Sequence, residues 1–220
     1  MFADAILFDL DGTIVDSERE NVESVVRAAR RWGAELSAEE RDFVIGHSWN
    51  EIHARVVGDH GLDVSMPVLI AAAVDEKRAL VAEGYRALPG AVAAIRRLAA
   101  RSKLAVVSGA SHGEVVDALE SLRVMDAFAF VMGAEDYPRG KPAPDPYALA
   151  IARFGARAAW SIAIEDATPG ILSARAAGAR VVAVRAGNFS GYDLSAADVV
   201  VETLDDVTDE LVARLVGSGA

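Results

Sequence analysis

Between Leu88 and Val201, short apolar runs alternate with stretches of helical periodicity, and this pattern constrains the fold more than any other feature. Residues 104–108, 127–132, 160–164, 180–184 and 199–201 read as strands. Helical patterns occupy the intervals, through Val92, Ile95 and Leu98, from Ser111, over 145–154, over 168–178, and from about Asp205. Thr168 reads as the N-cap of its helix, with Pro169 at the first helical position. Strands separated by helices cannot close as hairpins. They need crossover connections, and so predict a doubly wound, mainly parallel sheet of the α/β class.

One more strand opens the chain. Ile6-Leu7-Phe8 is apolar, and Asp9-Leu10-Asp11-Gly12-Thr13 follows at once. Strand side chains alternate faces, so Asp9 and Asp11 lie on one side as the strand runs out, and Gly12 offers the turn. Two carboxylates about 4 Å apart repel by about 1–4 kcal/mol, depending on the effective dielectric. A metal or a shared proton relieves that repulsion.

Residues 16–86 interrupt the alternation with a helical unit. Ser17-x-x-Glu20 and Ser37-x-x-Glu40 are capping-box signals. Val22, Val25, Val26, Ala29 and Trp32 recur at helical spacing after the first. Two further helices are predicted over 50–59 and 67–83, with a break at Gly46-His47-Ser48-Trp49 between the second helix and the third. The predicted organisation is a core of residues 1–15 and 87–220 with a cap of residues 16–86 inserted after the first strand.

A hydrophobic content of 52% with 25% charged residues places the chain among globular proteins rather than disordered ones. Its formal net charge of -11 argues against a nucleic-acid partner, while leaving room for a small anion that meets a local cation. The absence of cysteine removes disulfides, thiolate zinc sites and cysteine nucleophiles. No signal peptide and no apolar stretch long enough to span a membrane is visible, so a cytoplasmic protein without a membrane partner is expected. Nothing in the sequence demands more than a monomer.

Ligands of such sheets sit beyond the carboxyl ends of the strands. There the sequence places Asp9 and Asp11, then Ser108-Gly109-Ala110, then Gly140-Lys141-Pro142-Ala143-Pro144-Asp145, then Glu165-Asp166. Each has a plainer role when taken singly: a strand-end turn, a strand-end cap, a solvated lysine, a pair complementing a helix dipole. Together they are equipped for phosphoryl transfer. A carboxylate needs charge relief to approach a phosphate dianion, and Mg2+ held by Asp9 and Asp166 would provide it. Lys141, the Ser108 hydroxyl and the amides of Gly109 and Ala110 would grip the remaining phosphoryl oxygens. Asp9 would be the nucleophile, and Asp11 the general acid and then base. An all-oxygen site suits Mg2+ better than zinc.

In this order and spacing, Asp9-x-Asp11-Gly12-Thr13, Ser108, Gly140-Lys141-Pro142-x-Pro144-Asp145 and Glu165-Asp166-x-x-x-Gly170 resemble the four motifs of the haloacid dehalogenase superfamily. The likeness covers essentially the whole chain. It falls in the branch of β-phosphoglucomutases and phosphoglycolate phosphatases, which carry a small helical cap. It implies a Rossmann-like core, Mg2+, an aspartyl-phosphate intermediate and closure by the cap. It further implies a metal held by Asp9, the backbone carbonyl of Asp11, and Asp166, with Glu165 in support. The dehalogenases and phosphonoacetaldehyde hydrolases of the superfamily lack an acid at the position of Asp11, so a small phosphorylated metabolite is the expected substrate.

A mutase of this branch holds a second phosphate with a lysine and an arginine around a cap glycine and a histidine on the first cap helix. Here Ile45, Trp49 and Asn21 stand at those positions, which favours a phosphatase over the mutase alternative; Arg41 and Arg55 are the cations that could substitute. Asn21, His47 and Trp49 are the candidate cap residues for reading the leaving group, with Trp49 equally suited to the cap core. A receiver-type signalling domain would need no 70-residue helical insertion. A dinucleotide enzyme would need a Gly-x-Gly-x-x-Gly that is absent after the first strand. An inactive scaffold would be expected to lose at least one of Asp9, Asp11, Lys141 and Asp166.

Overall fold

The computed structural model describes residues 2–45, 47, 49–82 and 84–217. Gly46 and Ser48 of the expected break, and Glu83 at the end of the expected fourth helix, lie outside the described residues. The chain divides into two compact units, one of Met1–Asp16 with Arg86–Ala220 and one of Ser17–Tyr85.

The first unit is a six-stranded sheet: β1 (Ala5–Phe8), β2 (Lys103–Val107), β3 (Phe130–Met132), β4 (Ser161–Glu165), β5 (Arg180–Val184) and β6 (Val199–Val201). Every pairing is parallel, and the order is β3-β2-β1-β4-β5-β6. The chain reverses direction across the sheet at β1, whose Leu7 sits in register with Ala105 on one side and Ala163 on the other. That reversal opens a crevice at the carboxyl ends of β1 and β4.

Burial explains why the strands read as continuous apolar runs. All four residues of β1 and all five of β4 are buried, as expected for strands covered on both faces. Ala5 and Leu7 join Ala105, Val107, Ala163 and Val181 in a cluster completed by α7 (Asp145–Phe154) and α8 (Thr168–Ala176). Alternation turns Ile6 and Phe8 to the opposite face, where the Phe8 ring meets Phe128 edge-on at 5.9 Å. The remaining helices of this unit are α5 (Ala91–Ala99), α6 (His112–Ser121) and α9 (Asp209–Gly217). α6 starts with a reciprocal capping box: Ser111 Oγ accepts from the Glu114 amide, and the Glu114 carboxylate accepts from the Ser111 amide.

Three local readings are corrected. Thr168 does not cap α8: Ala167 holds the N-cap position, and the Thr168 hydroxyl donates to the Asp193 carbonyl at 2.8 Å. The last helix begins at Asp209, because residues 204–206 form a separate 3-10 turn closed by the Asp206 carboxylate on the Thr203 amide. β3 begins at Phe130, since residues 125–127 also wind into a 3-10 turn.

The second unit consists of α1 (Ser17–Arg30), α2 (Ala38–Val44), α3 (Trp49–His60) and α4 (Met66–Ala82), with no strand among its described residues. Val25, Val26 and Ala29 of α1 pack with Leu69, Ala72 and Ala73 of α4, and with Ile52 and Val56 of α3, in one core. Ser37 caps α2 with Glu40 in a complete capping box, and His60 Nε2 lies 2.7 Å from the other Glu40 oxygen.

Candidate active site

The site grows from the end of β1. The Asp9 amide donates to the Ile164 carbonyl at 3.0 Å, so strand pairing carries Asp9 to the sheet's carboxyl edge with only 7% of its surface exposed. Beyond it the chain turns sharply, with the amides of Thr13, Ile14 and Val15 all directed at the Leu10 carbonyl. Gly12 has φ +73°, and a Cβ there would lie 2.2 Å from Asp166 Oδ2. Glycine therefore serves both the backbone sign and the approach of the Asp166 carboxylate. Asp11 is half-buried in this turn. The fully buried Thr13 hydroxyl has no hydrogen-bond partner among the described residues, a cost of about 1–3 kcal/mol that is tolerated mainly at functional turns.

β4 ends in Glu165, followed by Asp166, and both are buried. Asp9, Glu165 and Asp166 each bring a carboxylate oxygen within 4.8 Å of the other two. The Asp11 side chain is not in that group. Glu165 rests against Gly170 of α8, where a Cβ would fall 1.8 Å from Oε1. Any side chain there would expel the carboxylate.

Lys141 joins the strand ends. Its ammonium donates to Asp9 Oδ1 at 2.5 Å, Glu165 Oε1 at 2.6 Å and the Val107 carbonyl of β2 at 3.0 Å, which accounts for all three protons. Its loop is fastened at both flanks: Arg139 pairs with Asp145 at 2.7 Å, and Ser173 Oγ of α8 donates to the Ala143 carbonyl at 2.5 Å. The Lys141–Pro142 peptide is cis.

The electrostatics follow from this geometry. Burial, offset in part by Lys141, combines with Glu165 and Asp11 to raise Asp9 to about 7. Burial, with Asp9 and Glu165 adding to it, raises Asp166 to about 9. Burial disfavours the charged form of Lys141, but Asp9 and Glu165 outweigh it and hold the group well above the ordinary lysine range. Carboxylates in this state resist ionising together unless a cation joins them. Three hard oxygen donors around one point suit Mg2+, and so the residues present fit that ion.

Ser108, fully buried, follows β2; its Oγ accepts from the Ala110 amide at 3.0 Å. That amide, expected to grip an anion, is thus engaged by the neighbouring hydroxyl, whose proton is left to donate elsewhere. The Tyr137 hydroxyl donates to the Ser108 carbonyl at 2.6 Å. The first unit therefore brings Asp9, Asp11, Ser108, Gly109, Ala110, Lys141, Glu165 and Asp166 to adjoining strand ends.

Asn21, His47 and Trp49 belong to the helical unit. Asn21 is half-buried on α1, and its carbonyl accepts from Ser24 Oγ. His47 is exposed and stacks on Phe43 at 3.8 Å. Trp49 opens α3 and packs partly buried against that unit's core, the plainer of its two roles. Arg41 and Arg55 are engaged within the unit, by Glu23 at 3.4 Å and Glu39 at 2.8 Å.

The sequence reading passed over Tyr147. It reads as an aromatic on the apolar side of α7, yet its hydroxyl donates to Glu165 Oε1 at 2.5 Å. Gly187 was also missed. The loop after β5 approaches the aspartate turn so closely there that a Cβ would fall 1.7 Å from the Gly12 carbonyl oxygen.

A parallel sheet reversing at β1, with acidic side chains and one lysine gathered at the reversal, defines a Rossmann-like enzyme. Its family follows from comparison with known proteins. A family model described as haloacid dehalogenase-like hydrolase matches residues 6–184, and the chain belongs to that family. Among curated relatives, the validoxylamine A 7'-phosphate phosphatase of Streptomyces hygroscopicus subsp. limoneus is 31% identical over 91% of this chain and 94% of its own. The hexitol phosphatase A of Escherichia coli is 32% identical over 92% of each chain. Among solved structures, a subfamily IA hydrolase of the superfamily from Geobacter sulfurreducens superposes with a TM-score of 0.79 at 23% identity, covering 95% of this chain and 96% of the other. No helix among the described residues is long and apolar enough to cross a membrane.

Proposed function

We propose that the protein is a Mg2+-dependent phosphatase that hydrolyses a small phosphate monoester, of sugar phosphate or phosphoglycolate type, through an aspartyl-phosphate on Asp9. The observation that carries this reading is the buried Asp9, bonded to Lys141 and set beside Glu165 and Asp166. The names of the two curated relatives support a phosphate ester as substrate.

Asp9 attacks phosphorus with one carboxylate oxygen. The ester oxygen departs with the proton of Asp11, leaving an alcohol and the acyl phosphate. Water then attacks phosphorus and passes its proton to Asp11, releasing inorganic phosphate and restoring both acids. Lys141 and the Ser108 hydroxyl hold the phosphoryl oxygens throughout. Asp9, the Asp11 carbonyl and Asp166 would hold Mg2+, which when bound supplies the positive charge that lets an anionic nucleophile meet an anionic ester.

The helical unit is assigned to recognition of the leaving group, through Asn21, His47 and Trp49. Arg41 and Arg55, the two cations that could substitute at the second phosphate of a mutase cycle, are paired to Glu23 and Glu39 instead. Phosphate release from a panel of monoesters, with and without Mg2+, tests the reading. The panel includes β-glucose 1-phosphate with trace bisphosphate. Mg2+-dependent release from a few esters is expected. Isomerisation of the glucose phosphate without free phosphate would refute a phosphatase.

A further inference from the structure

Glu165 Oε1 receives two donors at once, the Tyr147 hydroxyl at 2.5 Å and the Lys141 ammonium at 2.6 Å. Both Glu165 and Tyr147 are buried, at 1% and 0% exposure. The carboxylate fills the space that a Cβ at Gly170 would take. Glu165 therefore cannot turn to find water if a donor leaves.

Lys141 faces the opposite demand. Its three protons are committed to Asp9, Glu165 and Val107. To hold a phosphoryl oxygen it must release one acceptor. Releasing Asp9 returns the nucleophile's charge uncompensated, and releasing Val107 takes this donor from a buried strand-end carbonyl. Glu165 is the acceptor that already has another donor. A buried carboxylate stripped of its last hydrogen bond costs more than an ordinary lost bond, so the second donor decides whether the exchange is possible.

We propose that Tyr147 is a positioning residue whose hydroxyl stays on Glu165, so that Lys141 can exchange that carboxylate for a phosphoryl oxygen of the substrate. The inference rests on the phosphatase reading above. It assigns Tyr147 no contact with the ester; its hydroxyl acts through Glu165, while its ring, 5.1 Å from the Lys141 ammonium, is a separate contact that phenylalanine keeps.

Tyr147→Phe keeps the ring that fills the core and removes only the donor. Lys141 then remains the sole donor to Glu165 Oε1 among the described residues and is held there. The expected result is a rise of about tenfold or more in KM and a matching loss of affinity for inorganic phosphate, measured by calorimetry in Mg2+. The melting temperature is expected to stay within a few degrees of wild type. Tyr147→Leu, which also removes the ring, should lose melting temperature while showing the same loss of phosphate affinity. If the wild-type protein hydrolyses the panel and Tyr147→Phe matches it in KM and phosphate affinity, the inference is overturned and the phosphatase reading stands. If the wild type hydrolyses no ester, the phosphatase reading falls and takes the inference with it. A fall in kcat and melting temperature with KM and phosphate affinity unchanged means that Tyr147 only fills space, which also overturns it.

Discussion

Asp166→Asn should stabilise the metal-free protein at pH 8. Asp166 is buried against Asp9 and Glu165, and its folded-state pKa is raised from 3.8 to about 9. A raised carboxyl pKa means that the folded state holds the proton more tightly than the unfolded state does. Its contribution is fully present below the unfolded value and is lost as pH rises towards the folded value. At about 1.4 kcal/mol per unit, the span from 3.8 to pH 8 sets a ceiling of about 6 kcal/mol there. Asp9, raised to about 7 chiefly by burial with Glu165 and Asp11 adding to it, is itself one of the charges that raise Asp166, so the two effects are shared and not summed. Asparagine removes the charge and keeps the shape. A gain of about 2 kcal/mol or more is expected at pH 8, worth about 4–8 °C in Tm for a chain of this size, and little gain is expected at pH 5. Urea unfolding of both proteins in chelator at the two pH values reads this directly. Mg2+ should then reverse the order, stabilising the wild type and leaving the variant unmoved. A variant less stable than wild type in chelator at pH 8 would refute the electrostatic reasoning.

Other consequences are simpler to read. Gly170→Ala drives a Cβ into the space of Glu165 Oε1 and should abolish turnover, with a lower melting temperature, as measured by steady-state assay and calorimetry. Asp11→Asn should slow hydrolysis of poor leaving groups far more than of good ones while Mg2+ affinity stays near wild type; a change in metal affinity alone would remove Asp11 as the acid. Ser37→Ala removes the α2 cap and should cost about 1 kcal/mol in urea unfolding without altering Mg2+ affinity. Trp49→Ala should reorder the preferred esters if the indole reads the leaving group, and only lower stability if it serves the core it touches.

The features legible in the sequence were those set by local pattern. The apolar runs ending in Asp9, Ser108 and Glu165 announce strands whose termini share an edge, because parallel pairing aligns Phe8 with Val106 and Ile164. The helix over 145–154 agrees with α7 at both ends, since proline at its first turn and Gly155 at its close are local signals. What sequence could not supply was partner choice over distance. Thr168 has the chemistry of a cap, but a carbonyl 25 positions away takes its hydroxyl. Tyr147 fits an apolar helix face, and only the fold brings Glu165 beneath it. Gly187 carries no local turn signal that predicts its approach to Gly12. Likewise, the Ala110 amide looked available until the Ser108 rotamer was seen to occupy it.

The account centres on Asp9 as a nucleophile, and trapping its acyl phosphate tests that most directly. Acetyl phosphate needs no proton on its leaving group, so Asp11→Asn should still transfer the phosphoryl group to Asp9 but fail to pass it to water. Acid-quenched Asp11→Asn, digested and weighed by mass spectrometry, should carry one phosphoryl group on the peptide containing Asp9. The same peptide should be unmodified when Asp9 is also replaced by asparagine. A phosphoryl group on any other residue, or steady turnover of esters by Asp9→Asn, would contradict the central claim.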